Sequence, residues 1–420
     1  MFKEKFSRDV MWNILALCIL ALGGIILNII IVNRKGPEAL GIFNQVYAIY
    51  IILSQFGVGG LQFSVMKNIS YNRNDINECL NITFSALILV ALFTTLIGIA
   101  GLIIAKPASI LLGSPDTYHG LLFTLPGLVF FSMNKVLMRT LNALRHMRSH
   151  ALLKSLRIIF IVIGVIAISL LGLETAYLTL SLTIAEVTLF ILFSIFIFTK
   201  ILPLNRQLNI REWIPKHLSF GMRGMLSGIL IELNTRVDVL MLGYFGSDAS
   251  VGIYSFAASL AEGFSQIPLV IQNNLDPIIG DYFVNSEETK ISQLAKKTRK
   301  IIYPIMGVIS LTSIIGYFII SKYLFYEENY LISLVAFSIM MVGVTINAGY
   351  RPLSGTLRQG GRPGAHTLFI LCLVIGDALL NLFLIPTYGI FGASTVTALT
   401  YVLEGVYLVL FARKLFGIKI

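Results

Sequence analysis

Ionisable side chains inside membrane-length apolar runs carry the chemistry of this sequence. Lys135, Arg139, Asn142 and His146 recur at spacings that place them on one helical face, and Asn347, Arg351, Ser354 and Arg358 repeat the pattern in the second half. Each stripe is mainly cationic, so it offers either a seat for anions or long side chains reaching the membrane surface. In "LSGILIELNTRVDVLMLGYFG", Glu232 and Arg236 stand four residues apart and suit an ion pair, while Ser227, Asn234 and Asp238, with Arg223 just before the stretch, fall on the opposite face. Among the carboxylates near apolar runs, Asp377 with Asn381 one turn later, and Glu186 and Glu404, are candidates for proton exchange, because burial raises a carboxylate pKa and a nearby cation lowers it. Glu262 and Asp276 belong to the same list, with Asp276, just before Pro277, suiting a cap. No nucleophile–base pair and no HExxH occurs, and "RQGGRPG" lacks the Gly-Lys-Ser/Thr of a phosphate-binding loop. The pattern points to binding and movement, not to covalent catalysis.

Apolar helices must position these groups. The chain has 420 residues, 56% of them hydrophobic and 13% charged, with a mean hydropathy of +0.84. That composition is all-α integral membrane protein. Spans are expected near 10–32, 40–66, 78–105, 120–143, 151–172 and 175–199, then near 218–246, 251–278, 301–321, 330–355, 365–385 and 389–412. The first run is too long for a signal core and is read as a retained helix. Lys and Arg concentrate at the termini and in the even-numbered loops, whereas the odd-numbered loops carry only Arg34, Lys35, Lys106 and Lys322. Both termini are therefore expected in the cytoplasm. By this loop count the basic residues left within spans are Lys135, Arg139, Arg223, Arg236 and Arg351. The formal charge of +11 follows from this topology and does not point to nucleic acid. Cys18, Cys79 and Cys372 have no metal or redox spacing.

The halves read as copies. "GIFNQVYAIYIILSQF" from Gly41 and "GIYSFAASLAEGFSQI" from Gly252 share their ends, and "AEVTLFILF" and "LEGVYLVLF" align Glu186 with Glu404. Two six-helix bundles are expected, 1–205 and 218–420, joined by a cytoplasmic linker at 206–217 and facing a central cleft. Gly57, Gly59 and Gly60 in span 2 and Pro268 at the matching place in span 8 suggest bends.

The stretches "LGIFNQVYAIYIILSQFGVGGLQFSVMKNIS" and "NTRVDVLMLGYFGSDASVGIYSFAASL" resemble the oligosaccharidyl-lipid flippases of the polysaccharide transporter group, in the superfamily that includes the multidrug and toxin extrusion transporters. The resemblance implies a twelve-helix, two-bundle transporter of the bacterial inner membrane and no enzyme activity. It implies transfer of an undecaprenyl-diphosphate-linked oligosaccharide to the outer leaflet for O-antigen or capsule assembly, by alternating access. On that reading Lys135, Arg139, Asn142, Arg223, Arg236, Asn347 and Arg351 contact diphosphate or sugar. Glu186, Glu232, Asn234, Asp238, Asp377, Asn381 and Glu404 form the polar network that couples to protons or sodium, with no other cofactor. Membrane lipids, a polymerase and a chain-length regulator of the same pathway are the expected partners. Two departures bear on this: the related peptidoglycan-precursor flippases have fourteen spans, and the extrusion transporters' deep span 1 Asp is missing, Asp9 lying at the entrance with Asn13 and Asn28 beyond. An ion-coupled exporter of small cationic compounds and a membrane-bound polymerase or acyltransferase are the alternatives.

Overall fold

The computed structural model describes the backbone of residues 2–204, 208–324, 327–418 and 420, and the side chains along it except those at 2–10, 13, 14, 222–224, 227, 231, 327, 328, 330 and 363. Every regular element among the described residues is helical. They are α1 (Phe2–Val58), α2 (Leu61–Tyr71), α3 (Ile76–Leu111), α4 (Pro115–Ala143), α5 (Met147–Leu170), α6 (Leu180–Lys200), α7 (Trp213–Phe245), α8 (Asp248–Val284), α9 (Glu288–Leu324), α10 (Glu327–Asn347), α11 (Thr356–Gln359) and α12 (Pro363–Phe416), with short 3-10 turns at Thr175–Thr179 and Arg351–Leu353.

Local chemistry sets the ends. Asp75 caps α3 by accepting from the Asn77 and Glu78 N–H groups at 2.9 and 3.1 Å, and Ser247 caps α8 through the Ser250 N–H. Pro115 and Pro363 stand in the first turns of α4 and α12, where a missing N–H costs nothing. Gly36, at φ 86°, breaks α1 just before Pro37, and Gly389, at φ 53°, breaks α12 three residues after Pro386. Each of these long helices is thus two arms, matching the paired spans expected there.

Seven helical stretches among the described residues are long and apolar enough to cross a membrane: Leu15–Val58, Ile76–Leu111, Pro115–Ala143, Met147–Leu170, Thr175–Lys200, Glu288–Leu324 and Gly364–Phe416. A bent pair, Leu331–Asn347 with Arg351–Gln359, makes an eighth. The chain is a multi-pass membrane protein. Its surface inverts the soluble pattern: Ile301, Ile305, Val308, Leu311, Ile315 and Ile319 form an exposed apolar stripe along α9, whereas Ser54, Thr83, Ser85 and Thr140 are fully buried. Thr83 and Ser85 return their hydroxyls to the carbonyls of Cys79 and Asn81, so polar atoms are satisfied within the helix.

Contacts divide the chain into two compact units, Met1–Leu233 and Asn234–Ile420, with the division inside α7. In the first, α4 packs against α3, α6 and α1, and α5 against α1 and α6. In the second, α10 packs against α12, α9 and α8.

Two expectations are corrected. Span 10 does not continue to residue 355: α10 ends at Asn347, the backbone bends by 45°, and Arg351 opens a 3-10 turn. Pro352 has no N–H to give to Ala348, and hydrogen bonds shorten to i−3, as from Leu353 N–H to the Tyr350 carbonyl at 2.9 Å. Asn347, Arg351, Ser354 and Arg358 therefore do not share one helical face. The paired bends are also unequal. Gly59 and Gly60 adopt φ 53° and 73° and separate α1 from α2, while α8 runs through Pro268 without interruption.

Candidate functional site

Glu186 on α6 is fully buried and has three ties within the first unit. The Asn134 amide on α4 donates to its Oε2 at 2.9 Å and to its backbone carbonyl at 3.0 Å, and Arg157 Nε on α5 meets its Oε1 at 2.5 Å. Arg157 also donates to the Tyr47 hydroxyl at 3.3 Å and lies 4.4 Å from the centroid of the Phe131 ring. A carboxylate held away from water at membrane depth requires such a cation and donors.

The second unit builds the same arrangement around Glu404 on α12. The Asn347 amide donates to its Oε2 at 2.7 Å and to the Tyr401 carbonyl at 2.8 Å, and Arg351 Nη1 meets Oε1 at 2.5 Å. The alignment of Glu186 with Glu404 thus corresponds to one recurring asparagine–glutamate–arginine cluster. The arginine differs in origin, coming from α5 in one unit and from the turn after α10 in the other.

Further along α4, Lys135 donates to the buried Ser54 hydroxyl at 2.8 Å and sits 4.4 Å from the Phe131 centroid, so that ring contacts two cations. Arg139, one turn on, faces softer groups: Met66 Sδ at 3.8 Å and the Phe63 ring at 5.6 Å. Asn142 continues this stripe, half-buried, near the helix end. On α7, Glu232 accepts from the Gln55 amide at 3.1 Å, and Asn234 and Arg236 are neither buried nor exposed. Arg223, Ser227 and Asn13 are named in the sequence reading, but their side chains lie outside the described residues. Arg358 pairs with Asp276 at 3.1 Å, away from Glu404.

A second cluster in the Asn234–Ile420 unit joins three helices. Tyr254 on α8 donates its hydroxyl to Asp238 Oδ2 on α7 and lies 2.8 Å from the Thr397 hydroxyl on α12. Asp377 accepts from Asn381 at 3.1 Å and from Thr400 at 2.7 Å. The two arms of α12 therefore both contribute, Asp377 and Asn381 before Gly389 and Thr397 and Thr400 after it.

Sequence reasoning missed Arg157 and Lys154. Counting by loops assigns both to the segment after span 4, yet they lie inside α5, within a membrane-length helix. Their spacing of three along a span expected from residue 151 was the available signal. Tyr254, Thr397 and Thr400 carried none, since hydroxyls on apolar helices usually serve packing.

The helical fold is similar to that of several solved membrane transporters. It is similar to an inward-facing multidrug resistance transporter of the MATE family (TM-score 0.75, 15% identity, 96% of this chain and 97% of that one). It is equally similar to the lipid II flippase MurJ in an inward closed conformation (TM-score 0.75, 16% identity, 96% of this chain and 87% of that one). A transporter of the same superfamily from Pyrococcus furiosus gives a TM-score of 0.70 at 14% identity, covering 98% and 95%. In sequence the chain is 22% identical to an uncharacterised membrane protein of Methanocaldococcus jannaschii, over 99% of this chain and 85% of the relative. It belongs to the polysaccharide biosynthesis protein family, whose model matches residues 6–283.

Proposed function

We propose that this protein is a flippase that carries a polyprenyl-diphosphate-linked oligosaccharide across the plasma membrane by alternating access. The glycan would serve O-antigen or capsule assembly. The observation that carries the reading is cationic character at membrane depth, Lys135 and Arg139 on α4, in a chain of the polysaccharide biosynthesis family. Diphosphate needs fixed positive charge in a medium of low dielectric, sugars need a wet hydrogen-bonding path, and a prenyl chain stays in lipid.

The excess of Lys and Arg in the even-numbered loops supports cytoplasmic termini, so loading would occur from the cytoplasmic leaflet. Asp238 and Asp377, tied to hydroxyls of Tyr254, Thr397 and Thr400, are the better placed groups for coupling to protons or sodium. Glu186 and Glu404 already have arginine partners, which suits a structural role. A polymerase and a chain-length regulator would act on the delivered glycan.

Reconstitution into liposomes with a fluorescent lipid-linked oligosaccharide in the donor leaflet tests the reading. The fraction of that fluorescence open to a membrane-impermeant quencher on the donor side is expected to fall with time when the protein is present and to stay constant in protein-free liposomes. Transport of a cationic dye in its place, with no movement of the glycolipid, would support the drug-exporter alternative and overturn this one.

A further inference from the structure

Helix α8 carries a polar ribbon down one side. Ser259, Glu262, Gln266 and Asn273 fall within about 60° of one another around its axis. Glu262 and Asn273 are exposed, and Ser259 and Gln266 are half-buried. The buried side of the helix, with Tyr254, Ala257, Ala261, Pro268, Gln272 and Ile279, lies well round from them. Within its unit α8 packs against α10, α12 and the Arg351–Leu353 turn. The ribbon is the side those neighbours leave uncovered.

These groups lie deep. Glu262 stands about 4 Å along the axis from the middle of the span expected at 251–278, with Gln266 one turn on and Asn273 about 10.5 Å beyond that. The Glu262 carboxylate and the Gln266 and Asn273 amides have no hydrogen-bond or ion-pair partner among the described residues, whereas Ser259 and Asn274 donate to the carbonyls of Ser255 and Val270. An unpartnered carboxylate against hydrocarbon is strongly disfavoured, so the ribbon faces water. Helix α9 shows the contrast. Both helices are 37 residues long, yet α9 is apolar enough to span by composition and α8 is not, and the uncovered face of α9 is Ile301, Ile305, Val308 and Leu311.

We propose that Glu262, Gln266 and Asn273 bind the sugar hydroxyls of the lipid-linked cargo, with Glu262 setting a preference for a neutral, hydroxyl-rich glycan. The assignment rests on the flippase reading and adds to it a seat for the glycan on α8. A carboxylate accepts from two hydroxyls, and an amide one turn away both donates and accepts, which complements neighbouring hydroxyls on a sugar ring. The negative charge of Glu262 repels a diphosphate, so the ribbon is not a phosphate seat. Leu269, half-buried between Gln266 and Asn273 on the same side, offers an apolar step to the C–H face of a ring.

Two measurements on the full-length protein test this. With Cys18→Ser, Cys79→Ser and Cys372→Ser in place, a membrane-impermeant thiosulfonate should label Glu262→Cys and Gln266→Cys and leave Ile305→Cys on α9 unlabelled. No labelling at either α8 position would overturn the ribbon whatever the cargo. In nanodiscs, wild type should bind lipid-linked oligosaccharide extracted from the host cells at least about thirtyfold more tightly than undecaprenyl diphosphate. Glu262→Ala should remove about tenfold of that margin and Gln266→Ala about threefold, the sizes of a charged and a neutral hydrogen bond, with undecaprenyl diphosphate bound as by wild type. Glu262→Gln keeps an acceptor and should lose less than Glu262→Ala. An unchanged margin in Glu262→Ala and Gln266→Ala, or no margin in wild type, overturns the ribbon and leaves the flippase reading standing. Failure of wild type to bind either lipid overturns both. Ethidium binding that Glu262→Gln abolishes, with no glycan margin, would assign the ribbon to a cationic cargo and also overturn both.

Discussion

Asn134 and Asn347 hold equivalent posts: each donates one amide both to a buried glutamate, at 2.9 and 2.7 Å, and to a carbonyl on the helix that carries it, at 3.0 and 2.8 Å. An amide that grips side chain and backbone together fixes helix register as well as charge. The shared arrangement makes the arginines that complete each cluster the first place to probe stability.

Removing Arg157 should leave Glu186 charged and buried. Arg157→Ala is expected to destabilise the folded protein by about 3–5 kcal/mol, the usual cost of breaking one partner of a buried pair, whereas Arg157→Met with Glu186→Leu should recover most of it. The Arg351 side chain is 36% exposed against 20% for Arg157, so Arg351→Ala should cost less. Thermal unfolding in detergent would rank the three variants. Equal stability of wild type and Arg157→Ala would show that the pair does not hold the bundle.

Gly60 should be the least replaceable glycine of the first unit. Its φ of 73° already disfavours a side chain, and an added Cβ would come within 2.4 Å of the Gly221 carbonyl oxygen and 2.9 Å of the Met225 nitrogen, both backbone atoms of α7. Gly36, at φ 86°, has nothing within 4 Å, so Gly36→Ala meets only the conformational penalty of about 1–2 kcal/mol. Gly60→Ala is expected to lower the melting temperature further than Gly36→Ala. The opposite order would mean that α2 and α7 can separate without cost.

Much of this was legible before any coordinates. Long apolar runs announce the helices, and Glu186 and Glu404 align because the apolar residues around them repeat. The loss of helix after Asn347 was less visible, although Pro352 was there to suggest it, because the polar spacing of Asn347, Arg351 and Ser354 fits an unbroken helix equally well. Arg157 hid at the edge of a basic loop, where topology alone explains a cation. The partnership of Asp238, Tyr254 and Thr397 depends on three helices meeting, and single-helix periodicity says nothing about such a meeting.

Arg139 and Arg351 look alike in sequence but should fail differently. Arg351 neutralises Glu404, so Arg351→Glu places two carboxylates together and should reduce protein abundance. Among the described residues Arg139 meets Met66 and Phe63 and no carboxylate, so Arg139→Glu should leave abundance near wild type and abolish polymer export. Immunoblotting of membranes alongside surface glycan staining separates the two effects. Normal export with Arg139→Glu would remove Arg139 from the path of the cargo.

Asp238 and Asp377 should control the response to an ion gradient. The side-chain hydrogen bonds described for both carboxylates come from neutral donors, Tyr254 and Thr397 for Asp238 and Asn381 and Thr400 for Asp377, with Arg236 two residues before Asp238 on α7. Neutral donors stabilise a carboxylate without cancelling its charge, so a proton or a sodium ion remains able to do so. The helix break at Gly389 lies between the residues that contact Asp377 from either arm of α12, so neutralising the acid can alter how the arms meet. In liposomes, Asp377→Asn and Asp238→Asn should each remove the acceleration produced by an inward proton or sodium gradient while leaving slow, gradient-independent flipping. Tyr254→Phe deletes one donor and keeps both acids, so it should weaken the gradient response without abolishing it. Full gradient-driven transport by Asp377→Asn would place coupling elsewhere in the chain.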